Sequence, residues 1–369
     1  MRISFPHLGN TYIPLKAILQ GFGLDVVVPP RSSRRTLDIG TTHAPEGSCL
    51  PLKVTLGNFV EAVEAGAEAL LMVGGIGPCR LGYYCELQRE IMRDLKSRAE
   101  LLVLEPFHAD PGGLLRQVAR IAGRVTPAQA ARALWLGWEK TIGLDQLDQA
   151  MLAARWGQMP GAAVTSEYRS AIAALDEADS VRAVRDGVRE GLSRIRSCSL
   201  QADSSRPHLR VGVVGEMYVV LETAVNLDIP RRLGELGAEV LQPITLSSWV
   251  RQHVVMDFLR MGKKSDTAAL ARPYLNYFVG GHGLESVGHA VEMARAGVDG
   301  VVHLAPLTCM PEIVAESILP SVSEREGIPV MSITLDEQTA DAGIQTRIEA
   351  FVDLLAWRRR VQTGGQVLS

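Results

Sequence analysis

Cysteine is scarce: five occur in 369 residues, at 49, 79, 85, 198 and 309, and no two form a Cys-x-x-Cys pair. That excludes the usual zinc-finger pairs, and the spacing C-x29-C-x5-C-x223-C is not a ferredoxin run. The start, "MRISFPHLGN", passes from one Arg to Pro and Gly without an apolar stretch, so no signal peptide is expected. Without a secretion signal, five cysteines do not argue for a disulfide framework. No segment approaches the roughly 18 apolar residues of a membrane span. A cytoplasmic protein with no membrane partner is the expectation. Aromatics are few, at 5%, while glycine and alanine abound, which suits helices lying close on sheets. Charge of one sign is also lacking: the net charge is −3. Basic runs are short and include Arg34-Arg35 and Arg358-Arg359-Arg360. A nucleic-acid partner would usually leave a basic face, so none is expected. The second basic run fits the end of a C-terminal helix, where cations complement the dipole.

The apolar fraction, 47%, is ample for packed cores, and the length points to two domains. "RISFP", "LDVVVPP", "EALLMVGG" and "ELLVLEP" read as buried strands. Between them, "TYIPLKAILQGFG", "LKVTLGNFVEAVEAGA" and "YYCELQREIMRDLKS" carry apolar residues at helical spacing. Strand and helix in alternation mean βαβ units on a parallel sheet. From Val125 to Cys198 the pattern is helical, and "SLQADSSRPH" reads as a linker. The alternation resumes at Leu209 with "LRVGVVGEMYVV", "GAEVLQPI", "GVDGVVHLAPL" and "GIPVMSITLDE". The expected architecture is α/β, with two Rossmann- or flavodoxin-like lobes of mostly parallel sheet, 1–124 and 208–369, and a helical connector with linker, 125–207.

A short repeat links the lobes. "EAVEAGAEALLMVGGIGPC" ends at Cys79 and "HAVEMARAGVDGVVHLAPLTC" ends at Cys309. Each passes from a helix end through a Gly turn and a buried strand to a Pro-containing turn and a cysteine. Both cysteines fall at the carboxyl end of a strand, the edge where open α/β sheets bind ligands. Cys49, Cys79 and Cys309 all precede expected helix starts, with Pro51, Pro78, Gly77, Gly82 and Pro311 shaping the turns. Helix N-termini lower thiol pKa values and offer free N–H groups to thiolates. Three cysteines in one placement favour ligands over three separate core residues. Single cysteines drawn from two lobes suit a 4Fe–4S cluster in an interdomain cleft, with one iron left open. Cys85 is either a fourth ligand or a packing residue; Cys198 reads as structural.

"EGSCLPLK", "GGIGPCRLGYYCELQREI", "VGVVGEMYVV", "GGHG", "CMPEIVAESILP", "GIPVMSITLDEQT" and "TRIEAFVD" together resemble proteins related to 2-hydroxyacyl-CoA dehydratase components and their activases. The nearest subgroup is the CoA-protein activase-related one. The resemblance covers both lobes and skips the helical connector. It implies two lobes around an iron–sulfur cluster held by cysteines, in anaerobic metabolism. In dehydratases an ATP-driven activase supplies one electron, which passes to a thioester to make a ketyl radical; double-cubane relatives reduce small molecules. For this chain it implies Cys49, Cys79 and Cys309 as ligands of a 4Fe–4S cluster or a double cubane. It also implies an activase or reductase as electron donor, and a homo- or heterodimer. The substrate is not implied.

Other residues stand near these motifs. Arg80 would neutralise an anionic cluster or make an interlobe ion pair. Lys53, unfavourable in a first helical turn, hints at a nearby anion, with a solvated lysine as the plainer reading. Glu216 in "GEMY" and His282 in "GGHG" stand where proton transfer is possible, or serve as ordinary hydrogen-bonding groups. Asp336, Glu337 and Thr339 line a cleft or cap the next segment. Arg347 and Glu349 are expected to join the lobes. Tyr83 and Tyr84 are read as packing residues, one hydroxyl lying near the site. "LDIGTT", Leu37 to Thr42, matches the phosphate hairpin of actin-like ATPases, but "PPRSSRRT" before it is no buried strand, and no G-x-x-x-x-G-K-[ST] occurs. The alternatives to an iron–sulfur redox protein are an activase-like ATPase and a cysteine-ligated zinc scaffold.

Overall fold

The computed structural model describes residues 1–75, 78–104, 111–123, 125–156, 162–199, 208–251 and 266–364. In the N-terminal half, β1 (Arg2–Ser4), α1 (Tyr12–Gly21) and β2 (Asp25–Val26) are followed by α2 (Arg34–His43) and α3 (Leu50–Glu64). Then come β3 (Ala69–Val73), α4 (Leu81–Asp94), β4 (Glu100–Leu104) and α5 (Pro111–Ala122). The connector is α6 (Pro127–Arg155), α7 (Ala162–Glu177) and α8 (Val181–Ser199). The second half places β5 (Leu209–Gly215), α9 (Met217–Leu221), β6 (Ala238–Leu241), β7 (Gly300–Pro306) and β8 (Val330–Leu335) in chain order.

Two four-stranded sheets result, in the orders β2-β1-β3-β4 and β6-β5-β7-β8, and every pairing is parallel. The α/β reading with two lobes is borne out. Both sheets have one order, so β3 and β7 are equivalent strands. Each order reverses beside the first strand of its sheet, and the crevice outside that reversal is where α/β sheets hold ligands. β7, "GVVHLAP", is buried along its whole length, as a central parallel strand covered on both faces must be.

Helix α3 lies between the lobes. Leu50 and Val54 pack with Val211, Val213 and Val219 of the second half. Leu52, Leu56 and Phe59 pack into the first. Two glycines let α2 cross α3 closely: a Cβ at Gly57 would fall 2.0 Å from the Thr36 carbonyl oxygen, and one at Gly40 1.8 Å from that of Lys53. Helix α2 departs from the sequence reading. Ser33 and Thr36 form a reciprocal capping box that starts it, so "LDIGTT" is helical and forms no phosphate hairpin. "EMYVV" departs too: β5 stops at Gly215, and Glu216 caps α9 instead of continuing the strand.

The connector has its own core, in which Leu144, Leu147, Ile172, Leu175, Val188 and Ile195 pack with Ile13 of α1. Cys198 packs against this cluster, in keeping with a structural role. Asp148 accepts the Tyr168 hydroxyl, which in turn accepts from Asn10 Nδ2 at 2.8 Å. Burial pushes the Asp148 carboxyl up to about 7, against the downward pull of Tyr168. The folded protein thus holds this proton more tightly than the unfolded chain, whose aspartates titrate near ~3.9. The stabilisation is full below the unfolded value and is lost as pH rises through about 7. Thermal unfolding is expected to show a melting temperature that falls between pH 5 and 8, with a shallower fall in Asp148→Asn.

Candidate functional site

The cysteines of interest sit on three turns, and each turn starts a helix. Cys49 is the N-cap of α3, with Pro51 in the first turn. Cys309 is the N-cap of the helix Met310–Glu326, with Pro311 likewise placed. Cys79 comes one residue before Arg80, the N-cap of α4. Cys79 follows β3 and Cys309 follows β7, the equivalent strands. Backbone amides at the three helix starts favour the thiolates, Leu52 for Cys49, Leu81 for Cys79 and Glu312 for Cys309, although neither Cys49 nor Cys309 makes a side-chain cap hydrogen bond. They belong to the first helical turns, and the Leu52 N–H donates to the Cys49 carbonyl at 3.1 Å.

The turns converge. The Gly47 carbonyl, two residues before Cys49, accepts from Arg80 Nη1 at 3.0 Å and from Thr308 Oγ1 at 3.3 Å. One oxygen therefore ties together the neighbours of all three cysteines. The "GGHG" loop closes on the same place. A Cβ at Gly280 would stand 2.8 Å from the Cys79 nitrogen. At Gly281, with φ +47°, it would stand 3.1 Å from the Pro311 ring and 3.8 Å from the Cys79 sulfur. His282 follows as N-cap of the helix Gly283–Arg295. Among the described residues, no three His, Cys, Asp or Glu side chains lie close enough to hold one metal ion. The charge of Cys79 acts on Cys49 and that of Cys49 on Cys309, so the thiols are neighbours.

Burial pushes the Cys49 thiol up to about 11. Cys309 is pushed further, by burial first and then by the charge of Glu216, and Cys79 is raised by burial. Free thiols in this state are neutral and weakly nucleophilic. Glu216, immediately after β5, acts on all three cysteines. Its carboxylate accepts from the N–H groups of Tyr218 at 3.1 Å and Val219 at 3.0 Å, and burial pushes it up to about 7. It is both a satisfied cap and a member of the site.

The remaining candidates separate clearly. Tyr84 is buried with its hydroxyl against Cys49 Sγ, whereas Tyr83 is exposed. Cys85 is buried in the N-terminal core, its sulfur 3.7 Å from the Gly82 carbonyl. Gly77 lies outside the described residues. Lys53 is not a solvated lysine: it is buried, and Nζ lies 2.6 Å from Glu337 Oε1. The anion it hinted at is a carboxylate from the other lobe. Asp336 and Thr339 cap each other, with Asp336 N–H donating to Thr339 Oγ1 at 2.8 Å and Thr339 Oγ1–H to Asp336 Oδ1 at 2.7 Å. Arg347 and Glu349 do not join the lobes. Arg347 donates to the Ser332 carbonyl of β8 at 2.6 Å, and Glu349 accepts from Gln345 one turn earlier on the same helix, at 2.7 Å.

Two buried groups escaped the sequence reading. Glu312, in the first turn after Cys309, is wholly buried. Its Oε2 lies 2.7 Å from His303 Nε2 and 2.9 Å from Ser286 Oγ, while Oε1 has no hydrogen-bond partner among the described residues. His7, after β1, lies with Nδ1 2.8 Å from Glu222 Oε2 across the lobes, and its carbonyl accepts from the Tyr218 hydroxyl at 2.9 Å. Neither stands at a spacing that flags it; only the turn "CMPEIV" hinted at Glu312.

Residues 224–355 match the family model described as 2-hydroxyglutaryl-CoA dehydratase, D-component. The resemblance to 2-hydroxyacyl-CoA dehydratase components is thereby borne out over the second lobe, while Cys49 and Cys79 lie outside the matched segment. The matched segment contains Cys309, "GGHG" and the Glu337 turn. No curated protein matches the chain. Among the described residues, no helix is long and apolar enough to cross a membrane.

The Lys53–Glu337 pair yields a test of the lobe junction. The Lys53 side chain is 5% exposed and that of Glu337 26%. Removing the carboxylate strands the more deeply buried charge, so Glu337→Leu is expected to cost on the order of 3 kcal/mol. Lys53→Met leaves a charge that water can reach, and about 1–2 kcal/mol is expected. The double variant Lys53→Met/Glu337→Leu is expected to recover most of the larger loss in urea unfolding.

Proposed function

We propose that this chain is an iron–sulfur redox component of the 2-hydroxyacyl-CoA dehydratase type, with Cys49, Cys79 and Cys309 holding a cluster between the lobes. The observation that carries the reading is the meeting of three cysteine turns, each at a helix start, at the Gly47 carbonyl. The donor set fits. Cubane clusters take thiolates from any sequence separation and spread them over several irons, which suits sulfurs that are neighbours without meeting at one point. Buried thiols held neutral as free groups ionise on binding a soft, positively charged metal.

When bound, a 4Fe–4S cluster supplies one-electron transfer at low potential, and a three-thiolate set leaves one iron available to a small molecule or a thioester. The chain's own residues do the rest. The amides of Leu52, Leu81 and Glu312 at the helix starts favour negative charge on the sulfurs. Arg80 fixes the Cys79 turn on Gly47. Gly280 and Gly281 admit the "GGHG" loop close against the Cys79 turn. Glu216, fixed by two backbone N–H groups after β5, is the carboxylate placed to hold a proton beside the sulfurs. Cys85 stays in the N-terminal core in this reading, and Lys53, engaged with Glu337, holds the lobes together. An ATP-dependent activase is the electron donor that the dehydratase type calls for.

Anaerobic purification and reconstitution, followed by iron and sulfide analysis and EPR of the reduced protein, test this reading. Bound iron and sulfide in similar amounts and a reduced-cluster signal are expected. Cys309→Ser is expected to lose most of the iron and Cys198→Ser to keep it. A colourless, iron-free protein after reconstitution would overturn the reading.

A further inference from the structure

We infer that the Tyr84 hydroxyl donates a hydrogen bond to the Cys49 sulfur and thereby sets the reduction potential of the cluster that this sulfur holds. The inference rests on the cluster reading above and assigns Tyr84 as a positioning and tuning residue.

Helix α4 begins just after Cys79, so its first turns carry two things toward the site: the amide of Leu81, which serves Cys79, and the side chain of Tyr84. The two adjacent tyrosines part company. Tyr83 is 79% exposed, while Tyr84 is 6% exposed and packs in the N-terminal core with Leu52, Leu56 and Cys85. A buried phenol needs a partner for its O–H. That partner is Cys49 Sγ, across from α4 at the start of α3. A phenol titrates near ~10, so at neutral pH it carries its proton and donates. The Tyr84 hydroxyl thus reaches the Cys49 sulfur from the neighbouring helix.

Such a donor acts differently on the two redox states. Adding an electron makes ligand sulfurs more negative, and a hydrogen bond to a more negative acceptor is stronger. A donor on a thiolate therefore favours the reduced form and moves the potential upward. No proton leaves Tyr84 and no bond changes; the residue biases the equilibrium of an electron supplied from outside. Purely structural packing would be served equally well by phenylalanine.

The test is a redox titration of anaerobically reconstituted protein, followed by EPR, for wild type, Tyr84→Phe, Tyr83→Phe and protein with 3-fluorotyrosine at position 84. The expectation for Tyr84→Phe is undiminished iron and sulfide with a midpoint potential more negative than wild type. Tyr83→Phe is expected to leave the midpoint unchanged. Fluorotyrosine keeps the ring and donates more strongly, so its midpoint is expected to be more positive. This holds the inference open to refutation even if Tyr84→Phe loses iron. Iron-loaded proteins with one common midpoint would overturn the role of Tyr84 and leave the cluster reading standing. Wild type that takes up neither iron nor sulfide would overturn both.

Discussion

The Gly47 carbonyl oxygen holds the site together. It sits two residues before Cys49 and accepts from Arg80, beside Cys79, and from Thr308, beside Cys309. Two of those turns belong to one lobe and the third to the other. Without this meeting, each cysteine would be an isolated residue at a helix start, and a lone thiol there carries no functional implication. Much of the surrounding packing supports the junction. Helix α3 is buried against both lobes, Lys53 on it pairs with Glu337, and His7 pairs with Glu222.

One local device occurs three times. A turn leads into a helix, with a cysteine at the N-cap or one residue before it. Two of the three turns follow equivalent strands, β3 and β7, in sheets of identical order, so the pseudo-repeat in the sequence is a repeat of topology. The rest of the site is acidic. Glu216 caps α9 beside the sulfurs, and Glu312 is wholly buried in the turn after Cys309. Carboxylates and burial both hold free thiols in the neutral form, so the protein alone does not prepare a nucleophile. A bound cation centre would reverse that balance, as the proposed ligand role requires.

Most of the fold was legible because central parallel strands announce themselves. "ALLMV" and "GVVHLAP" are short apolar runs bounded by turn residues, and their helices carry plain amphipathic spacing. The helix starts at Cys49, Cys79 and Cys309 were legible for the same reason, helped by Pro51 and Pro311. Helix α2 was not, since its signal is the Ser33–Thr36 capping box inside a polar, Pro-rich stretch. Pairings across the lobes were also hidden. Lys53 and Glu337 are 284 residues apart, and nothing local to either names the other. The same holds for Tyr84, whose hydroxyl finds Cys49 only once α3 and α4 are packed, and for Arg347 and Glu349, whose partners lie within their own lobe.

The central claim is that sulfurs from both lobes ligate one cluster. Anomalous diffraction at the iron edge, from crystals of anaerobically reconstituted protein, tests it most directly. The account predicts a single cluster of iron density per chain, bonded to the sulfurs of Cys49, Cys79 and Cys309 together. Iron bound within one lobe only, with Cys309 outside its coordination, would contradict it.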